Sequence, residues 1–423
     1  MVQEKSTTQI DRPPVWSFFI LVALGFWLLT APASFNFQST PLVISDMICG
    51  ALLIILGLCC RRHPKQLMLW VLTFIGIWIQ FAPLLYWAPD SASYLTNVVI
   101  GSLVIVFSVV LFPLPGELPN NEPTIPPGWT YNPSSGTQRL PVAVLVFLCW
   151  TISRYLACYQ LHYIDTVWDP FFIPGTKAVV ESKISHDFPV PDAGLGALAY
   201  TIEFFTVLQG GKARWRTAPW LVLVYGILVI PVGLVSMTLV ILQPLAVGTW
   251  CTLCLTTAIC MLFAIPLAID EVIASLEFLN KNGWRHLFKG GECPGAENDE
   301  NTPPMDSSIF TLLRASFWGM GFPWNLWLAA FVGVFLMVTP ALFGAHGLLF
   351  DFDPILGAFT TVVAVVSFAE RLRMIRWAIA AFALALLIVA WSTSQGMTIH
   401  TPIAIVMALL SIRKGSFKHL EKC

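Results

Sequence analysis

Twelve stretches of the chain are apolar for long enough to cross a lipid bilayer, and that restricts the fold more than any other feature. They lie near residues 15–34, 41–60, 66–88, 92–113, 141–163, 193–209, 219–243, 247–269, 325–346, 353–370, 375–393 and 397–412, and a helix needs roughly 20 residues to span the hydrocarbon. Lipid offers no water to backbone N–H and C=O groups, so a spanning segment is either an α-helix or part of a closed barrel. Barrel strands alternate apolar and polar side chains, whereas these runs are continuous. A mean hydropathy of +0.75 with 11% charged residues excludes a soluble globule of this size. The chain therefore reads as an all-α, polytopic membrane protein with about twelve transmembrane helices. No short cleavable signal precedes the first run, so the first helix is expected to act as the insertion signal. A net charge of −1 argues against a nucleic-acid partner.

Orientation follows from the basic residues. Arg61, Arg62 and Lys65 follow the second run, Lys212, Arg214 and Arg216 the sixth, Lys281, Arg285, Lys289 and Arg314 the eighth, and Arg371, Arg373 and Arg376 the tenth. With Lys5, Arg12, Arg139, Arg413, Lys414, Lys418 and Lys422, 20 of the 23 Lys and Arg residues fall on one face. Only Lys177 and Lys183 lie opposite, and Arg154 lies within a run. Lys and Arg concentrate in cytoplasmic connections, so both termini are expected in the cytoplasm and the connection at residues 165–192 outside.

An internal repeat is visible. Gly25-Phe26-Trp27 leading to Ala31-Pro32 recurs as Gly76-Ile77-Trp78 leading to Ala82-Pro83, and more loosely as Gly333-Val334-Phe335 leading to Thr339-Pro340. A second run follows each copy and carries Gly50, Gly101 or Gly357, so the unit is a two-helix hairpin whose glycines permit close backbone approach. The Gly-Trp-Pro pattern resembles the SPW-repeat membrane family, with Ala-Pro or Thr-Pro in place of Ser-Pro-Trp. With almost no ionisable groups in their spans, the hairpins are expected to serve packing. Residues 1–113 then hold two hairpins and 308–423 the C-terminal ones. Residues 114–140 and 291–307, rich in turn-forming or acidic residues, read as cytoplasmic linkers bracketing a core at 141–290.

That core holds the pair Cys251 and Cys254, within Trp250-Cys251-Thr252-Leu253-Cys254. Ten cysteines placed at random would give roughly 0.2 pairs at this spacing. Residues at i and i+3 share a helix face, and thiols in a first helical turn are favoured as thiolates by the helix dipole. The spacing suits dithiol–disulfide exchange, and the pair is expected on the outer, oxidising side. No second pair of Cys or His ligands stands nearby in sequence, so no metal site is expected. Cys158 lies at similar depth and is either an ordinary buried cysteine or a possible relay thiol. Cys49, Cys59, Cys60, Cys149 and Cys260 read as core residues, and Cys293 and Cys423 as reduced thiols. Arg154 and Glu203 also reach similar depth, and charges inside a membrane usually pair, which predicts a buried ion pair between them.

Four helices, an aromatic and Pro-punctuated loop after the first, Gly194-Leu195-Gly196 opening the second and an outward Cys-x-x-Cys in the fourth resemble the vitamin K epoxide reductase family, including its bacterial quinone-linked members. The similarity covers roughly residues 141–269 and implies a central four-helix bundle in a bacterial inner membrane. It implies that Cys254 meets a quinone of ubiquinone or menaquinone type and that Cys251 exchanges with an electron donor, an external thiol protein or small dithiol. Asp192, Ser182 and Trp250 are the candidate quinone contacts, although Trp250 also fits the interfacial aromatic belt. The family's two loop cysteines are absent, Thr176 standing in place of the second, and Ala258 replaces an aromatic hydrogen-bond donor. The expected function is dithiol oxidation on the outer face coupled to quinone reduction. The alternative is a non-catalytic membrane scaffold or small-molecule-binding protein that kept the fold.

Overall fold

The computed structural model describes residues 15–62, 65–110, 123–343, 348–392 and 397–415. Lys5, Arg12, Lys418, Lys422, Cys423 and residues 114–122 of the first expected linker lie outside them. Within them, long helices stand at all twelve apolar runs: α1 Val15–Ser34, α2 Thr40–Arg62, α3 Gln66–Leu85, α4 Ser91–Ile105, α5 Gly136–Gln160, α6 Asp192–Leu208, α7 Pro219–Leu242, α8 Thr252–Asn282, α9 Trp324–Phe343, α10 Leu348–Val366, α11 Trp377–Ser392 and α12 Met397–Ile412. Among the described residues, eight helices are long and apolar enough to cross a membrane by length and composition, and two shorter apolar helices lie in α9 and α12. The protein is an all-α, multi-pass membrane protein.

The repeated glycines do what their pattern predicts. A Cβ on Gly76 would lie 2.9 Å from the Gly101 carbonyl oxygen, and one on Gly333 would lie 2.6 Å from that of Gly357. Only glycine allows helices to approach so closely.

The hairpins, however, are not free of ionisable groups. A polar residue stands four positions before each second-helix glycine: Asp46, Asn97 and Asp353. His400 holds the same place before Ala404, which marks α11 and α12 as a fourth, degenerate copy. Asn97 Nδ2 donates to Asp46 Oδ1 at 2.9 Å, and His400 Nε2 lies 2.7 Å from Asp353 Oδ2. Each buried pair ties the second helix of one hairpin to that of the next. In lipid, where burying apolar surface gives helices little reason to associate, such polar contacts select partners.

Between the hairpins, α5 packs on α6 and α8, and α7 packs on the same two, closing a four-helix bundle. Its core joins Val146, Tyr200, Tyr225 and Met261 to Leu326, Leu356 and Phe368 of the C-terminal hairpins. The N-terminal hairpins keep their own core around Leu28, Leu53, Leu72 and Val104. They meet the bundle through Leu84, Tyr94, Ala157 and Leu161.

Composition alone misjudges the expected linkers. In their described parts they are not solvated spacers. Ile125 pairs with Glu297, its N–H donating to the Glu297 carbonyl at 2.9 Å and its carbonyl accepting at 3.0 Å, and Trp129, Tyr131 and Cys293 are buried against Trp215 and Phe278. Carbonyls of these Pro- and Gly-rich segments have no helix to satisfy them, so side chains do so. Arg216 donates to the carbonyls of Pro123 at 3.0 Å and Gly291 at 3.1 Å, and Trp215 Nε1 to that of Thr124 at 2.7 Å. The segments thus form a cap on the Lys/Arg-rich end of the bundle.

Candidate functional site

Cys251 and Cys254 form a disulfide where α7 turns back into α8. α7 ends in a π-helical turn, Gln243–Val247, containing Pro244, which has no N–H to continue the helix. Gly248 follows at φ +77°, a left-handed conformation that favours glycine. Gln243 Oε1 then accepts the Cys251 N–H at 3.0 Å. Cys251 precedes the first turn of α8, and its sulfur accepts the Cys254 N–H at 3.0 Å. Helix α8 starts later than the expected 247 and runs on to Asn282, because Asp270 and Glu271 are buried against the cap instead of solvated.

A polar staple holds the 161–191 connection over this turn. Asp169 accepts the Thr252 hydroxyl at 2.5 Å, the Phe172 N–H at 3.1 Å and the Thr176 N–H at 2.7 Å. The Thr176 hydroxyl in turn accepts the Thr252 N–H at 3.2 Å. Thr176, standing where a loop thiol was expected, therefore docks the loop. The loop helps to seal Cys251, which is fully buried among Leu156, Tyr159, Val180 and Leu253. With the loop docked, Cys251 is closed to a partner.

Burial works to raise the Asp169 carboxyl, but the hydrogen bonds from Thr252, Thr176 and Phe172 outweigh it and bring the group from 3.8 down to about 2. A lowered carboxylate contributes stability that is complete above its unfolded value and lost as pH falls through its folded one. Loop docking should therefore weaken between pH 3.8 and about 2, read as increasing pepsin cleavage within residues 161–191. Asp169→Asn should show that cleavage already at the upper end of the range. Equal cleavage of both proteins across it would refute the staple.

Cys254, half-buried, lines a cavity of about 350 Å³. Apolar side chains such as Leu156, Val235, Leu239 and Phe188 make most of its wall, with Ser153, Ser182, Asp192, Tyr200, Ser236 and Thr257 as its polar points. Ser182 and Asp192 are thus brought to Cys254, whereas Trp250 does not line the cavity. Asp192 Oδ1 accepts from the Ser185 hydroxyl at 2.9 Å and from Gln160 Nε2. Asp192 therefore serves as an acceptor that orders the rim. Donors come instead from hydroxyls. Those of Tyr200 and Ser236 lie 3.3 Å apart at the wall, so an aromatic hydroxyl from α6 is present although Ala258 lacks one.

The expected ion pair between Arg154 and Glu203 does not form. The Arg154 guanidinium stacks over Trp150 at 4.6 Å. Glu203 is fully buried, and neither of its carboxylate oxygens has a hydrogen-bond partner. Similar depth did not suffice for an ion pair because the Trp150 ring takes up the cation. Cys158 is likewise apart from Cys251. It packs with Tyr94, Ala157 and Leu161, while Leu156 and Tyr159 pack with Cys251. At about 100° per residue these sets occupy opposite sides of α5.

Sequence reasoning missed Asp169, Gln160 and Tyr200 as site residues. Asp169 had a local signal, an acid just before Pro170 in an otherwise aromatic segment, but its partners Thr176 and Thr252 are 7 and 83 residues away.

Residues 140–269 match the vitamin K epoxide reductase family, and residues 15–111 match the SPW repeat domain. No curated protein and no solved structure matches the chain. The first match covers the bundle and the disulfide and supports a membrane redox enzyme, in a family that uses quinones in general and implies a thiol redox partner.

Proposed function

We propose that the protein oxidises a dithiol outside the cytoplasm and passes the electrons to a quinone in the bilayer. The observation that carries this reading is the two-sided placement of the disulfide: Cys251 beneath the loop and Cys254 at an apolar cavity. The cavity fits a quinone ring. Its volume of about 350 Å³ lies within the range of small-ligand sites, and its walls are apolar with a few convergent hydroxyls. A quinone bound there supplies an acceptor for two electrons and two protons. Ser153 and Tyr200 are placed to donate hydrogen bonds to its oxygens, Ser236 donates to the Val232 carbonyl at 2.9 Å, and Ser182 and Asp192 hold the rim.

Exchange begins when the loop lifts. A partner thiolate attacks Cys251 Sγ, the Cys251–Cys254 bond breaks, and the electron pair leaves on Cys254 at the cavity. The partner's second thiol then displaces Cys251, releasing the partner as a disulfide and leaving a Cys251, Cys254 dithiol. Re-forming the Cys251–Cys254 bond yields two electrons to the cavity and two protons. Thr176 cannot act as a relay, so the partner reaches Cys251 directly. By the distribution of Lys and Arg, the basic end and both termini face the cytoplasm of a bacterial inner membrane, and the disulfide faces outward.

The test uses purified full-length protein in liposomes with a short-chain ubiquinone and dithiothreitol. One quinone should be reduced for each dithiol oxidised, and the protein lacking both Cys251 and Cys254 should give none. Equal quinone reduction without the two cysteines would reject the reading and leave the scaffold alternative.

A further inference from the structure

Glu203 has no part in the exchange just described, yet it is fully buried in the middle of the bundle with both carboxylate oxygens unpartnered. A carboxyl in a membrane interior is costly, and an apolar side chain would pack there at no such cost. Such groups persist where they line an ion or proton pathway.

Its surroundings fit one. One turn along α6 towards the disulfide, about 4.5 Å in rise, Tyr200 lines the cavity beside Ser236. Tyr200, three residues before Glu203 on the same face of α6, packs in one core with Tyr225 and Cys149. Tyr225 packs under the Arg214 guanidinium at 5.4 Å. Towards the basic end, the last carbonyls of α6 are held by Arg139 and Arg214, and Arg214 pairs with Glu271 at 2.6 Å. Ser134 donates to Glu271 at 2.5 Å, and Asn132 donates to the carbonyl of the exposed Lys212 at 2.9 Å. Polar groups therefore stand at the cavity and at the Lys/Arg-rich end, with the buried, unpartnered Glu203 carboxyl on the helix between them.

We infer that Glu203 carries protons from the Arg139–Arg214–Glu271 network to the cavity at Cys254, so that quinone reduction draws its protons from the Lys/Arg-rich side. The inference rests on the quinone-linked reading above. For each dithiol oxidised, two protons are released from thiols on the disulfide side and two are taken up from the opposite side, while two electrons pass to the quinone. The reaction then separates charge across the membrane. The guanidinium groups keep their protons, so Glu203 Oε receives a proton passed from bulk water at the basic end by way of the Glu271 carboxyl and gives it up towards the Tyr200 hydroxyl, with water bridging the unpartnered carboxylate.

The experiment uses the full chain in sealed liposomes with the basic end in the lumen, a lumenal pH dye, short-chain ubiquinone and external dithiothreitol. Two lumenal protons should disappear per dithiol oxidised. In Glu203→Gln that uptake per dithiol should fall about tenfold or more, within the range for losing a proton-transfer group. Glu203→Asp should restore part of it. If the wild-type protein oxidises dithiol with lumenal pH unchanged, or if folded Glu203→Gln keeps full uptake, the inference is overturned while the proposed function stands. If the wild-type protein reduces no quinone at all, both fall.

Discussion

Serine at Cys251 or at Cys254 reduces dithiol-driven quinone reduction to background, whereas Cys158→Ser leaves it nearly unchanged. Two sulfurs are needed to release an oxidised partner and to hand on its electron pair, so either one alone stops turnover. Cys158 packs on the opposite side of α5 from the residues that bury Cys251. The two single variants differ in what they accumulate. In Cys254→Ser the free Cys251 attacks an oxidised partner and forms a mixed disulfide that no second thiol of this protein resolves, leaving only the reverse attack by the partner's released thiol. The buried position of Cys251 beneath the loop makes that adduct slow to form. Combining Cys254→Ser with Asp169→Asn, which removes the carboxylate of the staple, should raise its yield on a non-reducing gel. A Cys158→Ser loss as deep as that of Cys251→Ser would overturn this route in favour of an internal relay.

The largest expected loss of stability comes from the opposite end of the bundle. Arg214 and Glu271 make a two-point ion pair, Nε to Oε1 and Nη2 to Oε2, each at 2.6 Å. Their side chains are 0% and 3% exposed. Removing one member of a buried pair leaves an uncompensated charge and costs about 3–5 kcal/mol. Arg214 also satisfies the carbonyls of Thr206, Val207 and Gln209 at the end of α6, so its loss frays that helix as well. Arg214→Met should lower the thermal midpoint in detergent far more than an exposed change such as Lys212→Met. Replacing both partners by Met should recover part of the loss, since no isolated charge remains. A single-variant midpoint equal to that of the Lys212 control would refute the claim.

The apolar runs fixed all-helical spans at twelve places because lipid leaves the backbone no other way to satisfy itself, a constraint that acts locally along the chain. Glycines at a fixed spacing announced the hairpins for the same kind of reason. The Cys-x-x-Cys spacing placed two thiols within bonding reach without help from distant residues. What depends on distant partners was not legible. Asp46 and Asn97, or Asp353 and His400, look like isolated polar residues until folding sets them face to face. Arg373 and Arg376 counted as loop charges for orientation, yet they are buried against the carbonyls of Ser367 and Ser411, which only the packed helices supply. Depth suggested an Arg154–Glu203 pair, but which way each side chain points is set by neighbouring helices. Tertiary structure gave Arg154 to Trp150 and left both Glu203 carboxylate oxygens without a hydrogen-bond partner. The chain thus encodes its spans and its thiol pair through local chemistry, while the loop over Cys251, the cavity at Cys254 and the carboxyl at Glu203 take their roles from contacts that exist only once α5 to α8 have closed into a bundle.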